Sequence, residues 1–153
     1  MNKKNIFMSF ALEEAKKAAL RNEIPVGAVA VINNKIIGSA GNRNRELKDV
    51  TAHAEILAIR MGCQALSKET LPEVDLYVTL EPCTMCAAAI SFARIRRLYY
   101  GASNPKGGGI EHGSQFYTLV TCHHRPEIYP GISEQHSKQI IQDFFKGKRS
   151  VTY

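Results

Sequence analysis

The sequence has 153 residues, of which 44% are hydrophobic and 22% charged, and its formal net charge is +6. This length and composition suit one compact domain, which we expect to span residues 1–153, and they argue against a disordered chain. No apolar run is long enough to cross a bilayer and no secretory signal is recognisable, so we expect a cytoplasmic protein without a membrane partner. The positive charge favours a polyanionic partner such as nucleic acid, although a solvated surface with a basic tail would give the same total.

The first forty residues predict a helix followed by a β-hairpin. Apolar residues recur at helical spacing over residues 5–21. Two apolar runs rich in β-branched residues then occupy residues 26–32 and 35–40. The two asparagines between them, Asn33 and Asn34, are typical of a tight turn, so the runs are predicted to pair as a hairpin.

The rest of the chain alternates predicted helices with predicted strands. Residues 42–50 are polar and irregular, and Thr51 is predicted as the N-cap of a helix that runs to about Gly62. Residues 112–130 carry no clear pattern. A hairpin followed by alternating helices and strands predicts an α/β fold with helices packed on a mixed sheet. The later predicted elements are a strand at 75–80, a helix from Cys83 to about Arg94, a strand at 97–100, a glycine-rich loop at 101–113, and a helix at 133–146 before a basic tail.

Two short motifs contain residue types that bind metals, with a histidine at position 53 and cysteines at positions 83 and 86. Zn²⁺ prefers four ligands in a tetrahedron, drawn from thiolate, imidazole and carboxylate groups. Two cysteines separated by two residues at a helix start can both face one ion, and the helix dipole favours their thiolate forms. With His53, Cys83 and Cys86 as ligands, one coordination position stays open, which is typical of a catalytic zinc site rather than a structural one.

Glu55 lies two residues after the predicted ligand His53 and is the candidate proton carrier. Two thiolates cancel the charge of a zinc ion, so this zinc should acidify its water less than a zinc held by three imidazoles would. The water therefore needs a strong local proton acceptor, and Glu55 is predicted to take the proton and pass it to the substrate. Residues two apart on an ideal helix point about 200° away from each other, so the sequence does not show how His53 and Glu55 both reach the metal.

Two other interpretations of the cysteine pair remain open. It could be a redox pair, which would leave the upstream histidine and glutamate unexplained, or half of a structural zinc site, which would need a fourth protein ligand. We expect Cys63 to be a small buried residue and residues 122–124 to serve packing and hydrogen bonding. The residues that could otherwise supply a fourth ligand are His112, Cys122, His123 and His124.

The His-x-Glu and Pro-Cys-x-x-Cys motifs together resemble the cytidine deaminase superfamily, and the segments around them narrow the resemblance to the bacterial tRNA adenosine deaminases. This resemblance implies a three-layer helix–sheet–helix fold with a mixed sheet of about five strands. It also implies one Zn²⁺ per subunit, a homodimer, and conversion of the wobble adenosine of a tRNA anticodon loop to inosine. The segments that carry it cover nearly the whole chain: PVGA at 25–28, GNR at 41–43, TAHAE at 51–55, LYVTLEPC at 76–83, NPKGG at 104–108, HR at 124–125 and FF at 144–145.

The resemblance further implies a set of residues that bind the substrate. Basic and aromatic side chains suit this task, because a base must leave its stack to reach the zinc. Each residue also has an ordinary structural alternative, since the amide could form a turn, the aromatic ring could be helix core and the cations could be solvated. The set is Asn42 and the backbone of Ala54 for the flipped base, Val26 for the lining of the pocket, and Lys106, Phe145 and Arg149 for the anticodon loop outside it.

Some features of the chain leave its substrate open. The family often carries an acidic residue where this chain has Asn104, and residues 110–113 and 115–117 also differ from the usual pattern. These differences could alter RNA contacts or the choice of substrate. The same zinc machinery would serve a deaminase of a free nucleobase or nucleoside of the guanine or cytosine type. A non-catalytic RNA-binding protein with structural zinc would share the basic charge but would have no use for Glu55.

Overall fold

The computed structural model describes residues 2–149 of the chain, apart from the side chain of Arg149. Over this range helices and strands alternate in the order expected of an α/β fold. In chain order they are α1 (Lys3–Leu20), β1 (Gly27–Ile32), β2 (Lys35–Gly41), α2 (Asn44–Leu47), α3 (Ala54–Leu66), β3 (Asp75–Leu80), α4 (Thr84–Phe92), β4 (Arg97–Ala102), β5 (Glu127–Tyr129) and α5 (Glu134–Arg149), with a 3-10 turn at Phe116–Thr118.

The described strands form one mixed sheet, in the spatial order β2-β1-β3-β4-β5. β1 pairs antiparallel with β2 and β3, whereas β3, β4 and β5 run parallel to one another. The parallel strands β3 and β4 therefore end at the same edge of the sheet, at Leu80 and Ala102. In open α/β sheets the carboxyl ends of parallel strands are the usual place for a ligand.

Helices cover both faces of the sheet. Side chains alternate between the two faces along each strand, and apolar residues point to both faces, so each face packs against helices. The predicted three-layer helix–sheet–helix fold with five strands is thereby confirmed. On one face, residues of β1 and β3 pack against α3 and α4: Ala28, Ala30, Leu76 and Val78 with Ala54, Ala58, Ala87 and Ile90. On the other face, residues of β1, β3 and β4 pack against α1 and α5: Val29, Val31, Tyr77 and Tyr99 with Phe7, Met8, Ala11 and Ile140.

The predicted hairpin is present, with β1 and β2 joined by a two-residue turn. Asn33 and Asn34 have φ values of 48° and 63°, both in the left-handed region. This geometry matches the twist of a hairpin, and asparagine tolerates it better than most residues. The turn places Ile32 opposite Lys35, which sets the register of the strand that leads into the loop at Asn42.

The prediction of Thr51 as a helix N-cap is wrong, because α3 begins at Ala54 and its N-cap is His53. Asp49 Oδ1 accepts hydrogen bonds from both the backbone N–H and the hydroxyl of Thr51. The threonine side chain is therefore used in a turn before the helix and has no helix N–H to cap. α3 also continues to Leu66, four residues past the predicted end.

Three more segments differ from the sequence prediction. The stretch predicted to be irregular contains the short helix α2, and β4 extends to Ala102 because it pairs with β3 as far as Leu80. Residues 112–130 contain the 3-10 turn and the three-residue strand β5, which is too short to give an alternating pattern. None of the helices in the described range combines the length and hydrophobicity needed to cross a membrane.

Candidate active site

The predicted metal ligands lie where two helices begin at the carboxyl edge of the sheet. His53 is the N-cap of α3 and Cys83 is the N-cap of α4, and both have extended backbones. Neither side chain caps its own helix. The imidazole and the thiol are therefore available for other contacts, and they face each other. Cys86 lies in the first turn of α4 and is buried. Both helix N-termini direct partial positive charge toward this group, which favours anionic ligands.

The three side chains form a compact donor group. Cys83 Sγ lies 3.6 Å from His53 Nδ1, and Cys86 Sγ lies 3.4 Å from the same nitrogen. The ligand atoms of all three residues lie within 4.8 Å of one another. Around a tetrahedral zinc, Zn–N and Zn–S bonds of about 2.0 Å and 2.3 Å imply an N-to-S separation of about 3.5 Å. The donor types and their spacing therefore fit one zinc ion with a fourth position left open.

Glu55 reaches the same place because His53 does not belong to the helix. His53 precedes α3 in an extended conformation, whereas Glu55 lies in its first turn, so the angle expected for two residues of one helix does not apply. Glu55 is 4% exposed and lines the same cleft as His53 and Cys83. Burial raises the pKa of Glu55 above its ordinary value, because the charged form is desolvated. A carboxylate with a raised pKa is a better proton acceptor near neutral pH.

The two thiols of the donor group differ in how readily they lose a proton. A hydrogen bond from the Cys86 thiol, aided by His53, lowers the pKa of Cys83 to about 4. The same hydrogen bond, together with burial, raises the pKa of Cys86, since this thiol is the donor. The Cys83 thiol therefore loses its proton more readily than the Cys86 thiol, and a cation between the two sulfurs would favour the thiolate form of both.

The donor group opens into a cleft of about 640 Å³ at the carboxyl edge of the sheet. This volume lies in the range of pockets that enclose small ligands. Apolar side chains such as Val26 and Leu80 line it, and so do the solvent-accessible cations Arg45, Lys106 and Lys138. An apolar wall beside the donor group, combined with these cations, suits a ligand that has a flat ring and a negative charge.

Asn42 is held from both ends of its side chain and is 8% exposed. Its Oδ1 accepts the backbone N–H of Ala54 at 2.8 Å, and its Nδ2 donates to the carbonyl of Ile24 at 3.1 Å. The amide nitrogen carries two hydrogens, and only one of them is used in these two bonds. Because the N–H of Ala54 already binds Asn42, the predicted contact between the Ala54 backbone and a base cannot come from that N–H.

The other predicted substrate residues are distributed around the same cleft. Val26 lines it and is buried, and Lys106 lines it and is exposed. Phe145 lines it as well, and its 41% exposure argues against the alternative that it is helix core. Arg149 ends α5, and its side chain lies outside the described part of the chain.

Sequence reasoning missed several residues that line or shape the cleft. Arg45 and Lys138 add to its positive charge. Glu23 is 2% exposed and accepts the backbone N–H groups of Arg45 and Glu46, at 3.1 Å and 2.9 Å, where α2 begins. Glu81 is also buried and accepts five hydrogen bonds. Both acids lie close to a proline in sequence and look like loop residues, so no local signal marks them.

The remaining cysteines and histidines lie away from the donor group. Among the residues that the structure describes, the predicted ligands are the one group of three or more that could share a metal ion. Cys122 Sγ donates to the carbonyl of His124 at 3.2 Å, and His124 Nε2 lies 2.7 Å from the carbonyl of Ile95. The expected packing and hydrogen-bonding role is confirmed for Cys122 and His124, whereas the side chain of His123 is exposed.

Cys63, which was expected to be buried, is only half-buried. Its Sγ lies 3.6 Å from the carbonyl of Glu69.

Comparison with known sequences identifies relatives that match almost the whole chain. The model of the MafB19-like deaminase family matches residues 1–149. The tRNA-specific adenosine deaminase of Agrobacterium fabrum is 59% identical over 149 residues, which cover 97% of this chain and 98% of that protein. The tRNA-specific adenosine deaminase of Aquifex aeolicus is 40% identical over 149 residues, with 96% and 97% covered.

Comparison with solved structures identifies the same fold in two deaminases. A structure from studies of A-to-I editing by tRNA:A34 deaminases at the wobble position of transfer RNA has a TM-score of 0.87 and 61% identity, and the match covers 88% of this chain and 98% of that one. A structure of the guanine deaminase from Nitrosomonas europaea has a TM-score of 0.78 and 18% identity, with 92% and 83% covered. At 18% identity the second likeness concerns the fold alone.

Proposed function

The chain belongs to the MafB19-like deaminase family and to the bacterial tRNA-specific adenosine deaminases, and from this premise we propose that it converts the wobble adenosine of a tRNA anticodon loop to inosine. The observation that carries the proposal is one cleft that joins the His53, Cys83 and Cys86 donor group to the exposed cation Lys106. The donor group suits hydrolytic deamination. The cation suits the phosphate backbone of an RNA loop.

We propose that His53, Cys83 and Cys86 hold one zinc ion per subunit, His53 through Nδ1 and the cysteines through sulfur. The separations of 3.4 Å and 3.6 Å between the sulfurs and this nitrogen support the assignment. The start of α4 favours the thiolate forms that such binding needs. When bound, zinc would supply the Lewis acidity that makes water a usable nucleophile near neutral pH.

Glu55 moves the protons in this proposal. During hydrolysis a C6–O bond to the base forms, the C6–N bond breaks and the amino group leaves as ammonia. The Glu55 carboxylate accepts a proton from the attacking water and delivers it to the ring nitrogen beside C6; it then carries the second proton to the leaving amine. The burial of Glu55 in the cleft beside His53 supports this role.

Asn42, Ala54 and Val26 are proposed to bind the flipped base. Asn42 would donate the second hydrogen of Nδ2 to a ring nitrogen, since its other hydrogen-bonding groups are bound to Ala54 and Ile24. Ala54 contributes through its backbone by fixing the Asn42 amide. Val26 contributes an apolar wall for the ring.

Lys106, Phe145 and Arg149 are proposed to contact the anticodon loop outside the base pocket. The exposure of Lys106 and Phe145 along the cleft supports this assignment for these two residues. An exposed aromatic ring offers a platform on which an unpaired base can stack, and a lysine offers a charge for phosphate. For Arg149 the proposal rests on the resemblance to the family.

Substitution of Lys106 by alanine is expected to weaken binding of an anticodon stem–loop and to reduce its salt dependence. If Lys106 neutralises one phosphate, the slope of log K against log salt should fall by about 1. Titrations of the stem–loop at several salt concentrations measure this slope. Lys35→Ala is the matched control, because Lys35 is also exposed but lies at the hairpin turn, outside the cleft. A slope in Lys106→Ala equal to that of the unsubstituted protein would exclude the phosphate contact.

The proposed function itself predicts inosine at the wobble position of a stem–loop and no ammonia from free bases. The second candidate function, deamination of a free base, is favoured by the fold shared with a guanine deaminase. Incubation with a wobble-adenosine stem–loop and, separately, with free guanine, cytosine and adenine distinguishes the two. A stem–loop with guanosine at the wobble position is the control. Ammonia from free guanine with an unchanged stem–loop would overturn the first function in favour of the second.

We further propose that residues 1–153 form one domain, that two copies assemble as a homodimer, and that the enzyme acts in the cytoplasm, where tRNA is found. The two hydrophobic cores, one on each face, pack on the same sheet, and this supports a single domain. Large apolar side chains left on the surface support an interface between copies, among them Phe92 at 70% exposure and Val120 at 95%.

A further inference from the structure

Glu81 has a buried carboxylate that the proposed reaction does not use. It follows β3 and precedes Pro82 and the predicted ligand Cys83, and its side chain is 0% exposed. Oε2 accepts three successive backbone N–H groups, those of Ile110, Glu111 and His112, at 3.0 to 3.2 Å. Three adjacent amides that converge on one oxygen form an anion-binding concavity, and here the anion is a side chain of the same protein.

The second oxygen of the Glu81 carboxylate completes a clamp on the same segment. Oε1 accepts the backbone N–H of Asn104 at 2.9 Å and the Nδ1–H of His112 at 2.8 Å. One carboxylate therefore binds both ends of residues 103–115, which we term the cleft loop. Gly108 is required at its closest approach, because a Cβ there would lie 2.2 Å from Glu81 Oε2.

The cleft loop is bonded to the start of α4 as well as to Glu81. The N–H of Gly109 donates to the carbonyl of Pro82 at 2.8 Å, and the hydroxyls of Ser114 and Thr84 are 2.9 Å apart. Pro82 and Thr84 flank Cys83 in sequence, so the loop is hydrogen-bonded to both neighbours of this predicted ligand. The tip of the loop carries Lys106, which lines the cleft.

Glu111 and His112 hold the loop through their side chains as well as through their backbone N–H groups. His112 donates to Glu81, and Glu111 accepts a hydrogen bond from the hydroxyl of the fully buried Tyr100. The His112 side chain remains 33% exposed, so it lies at the surface end of the clamp. A charge-assisted hydrogen bond of this kind is stronger than a bond between neutral groups.

We propose that Glu81 and His112 are positioning residues that hold the cleft loop in the conformation that binds RNA, so that Lys106 meets the substrate on a preformed loop. The inference rests on the proposed function, because it assigns the loop to binding the anticodon stem–loop. In this proposal both residues act through the loop and not through contact with the reacting base. Their effect is expected in the binding of RNA, while the chemistry stays with the donor group and Glu55.

The test compares His112→Ala with His112→Asn. Alanine removes the donor to Glu81, whereas the Nδ2 of asparagine can occupy nearly the position of the imidazole Nδ1 and still donate. His123→Ala is the matched control, since His123 is exposed and lies outside the cleft. The measurements are kcat and KM for inosine formation in a stem–loop, zinc content, and hydrogen exchange at the amides of residues 110–112.

His112→Ala is expected to raise KM about tenfold, as when a binding-competent conformation falls to about a tenth of the population. Exchange at amides 110–112 should accelerate, and kcat and zinc content should stay at the levels of the unsubstituted protein. His112→Asn should restore both KM and slow exchange. Faster exchange with unchanged KM, or a His112→Asn variant as impaired as His112→Ala, would overturn the positioning role. Failure of the unsubstituted protein to form inosine would instead overturn the proposed function, and the exchange rates would still test the clamp.

Discussion

Replacement of Glu55 by glutamine is expected to lower kcat for inosine formation by about 10²–10⁴-fold, the usual contribution of a general acid–base residue. Glutamine has nearly the shape of glutamate but cannot take up a proton, so the water, the ring nitrogen and the leaving amine lose their shared carrier. Zinc content should stay unchanged, because the predicted ligands are other residues. Single-turnover measurement of inosine, together with metal analysis of the same sample, tests both expectations.

Glu73→Gln is the matched control for this substitution, since Glu73 is an exposed carboxylate that does not line the cleft. It should retain full activity. Glu55 is buried, and its charged form is desolvated, so the neutral replacement should not lower the melting temperature. A loss of turnover would then reflect lost chemistry. Full activity in Glu55→Gln would remove Glu55 from the mechanism and would revive the alternative of an RNA-binding protein with structural zinc.

The sequence predicted best those elements whose own residues carry a clear pattern. β3 begins and ends where predicted, and the hairpin around Asn33 and Asn34 forms because their left-handed geometry is intrinsic to the residues. β5 had no such pattern. Its three residues are held by pairing with β4. α2 is also short, with four residues, and Glu23, more than twenty residues earlier, binds the N–H groups of Arg45 and Glu46 in its first turn. Elements stabilised by distant partners leave little trace in their own sequence.

The chemistry of the site was predictable, but its geometry was not. Residue types and spacing indicated His53, Cys83 and Cys86, because few side chains bind zinc. General cap preferences pointed to Thr51, since threonine is favoured at an N-cap and histidine is not. The structure uses His53 as the cap without a capping hydrogen bond, and this departure from the local preference frees the imidazole for Cys83. Functional sites are where such local rules are expected to fail.

Replacement of Cys86 by serine is expected to abolish both zinc binding and turnover. A serine hydroxyl does not replace a thiolate, and the remaining pair of ligands, His53 and Cys83, cannot complete a tetrahedral site. Loss of a residue that merely supports a ligand already costs about 10–100-fold in metal affinity, so loss of a ligand should cost more. Metal analysis after dialysis against a zinc-free buffer measures the effect. Cys63→Ser is the matched control, because Cys63 lies outside the donor group.

The same substitution separates the contribution of zinc to stability from that of the protein alone. An ion that binds only the folded state, present at about 1,000 times its Kd, adds about 4 kcal/mol to the free energy of unfolding. A chelator should therefore lower the melting temperature of the unsubstituted protein and of Cys63→Ser, and should leave that of Cys86→Ser unchanged. Undiminished zinc in Cys86→Ser would contradict the ligand assignment. His53 and Cys83 are the N-caps of α3 and α4, and both helices pack on the same sheet without help from the ion. The fold itself should therefore persist when the ion is removed.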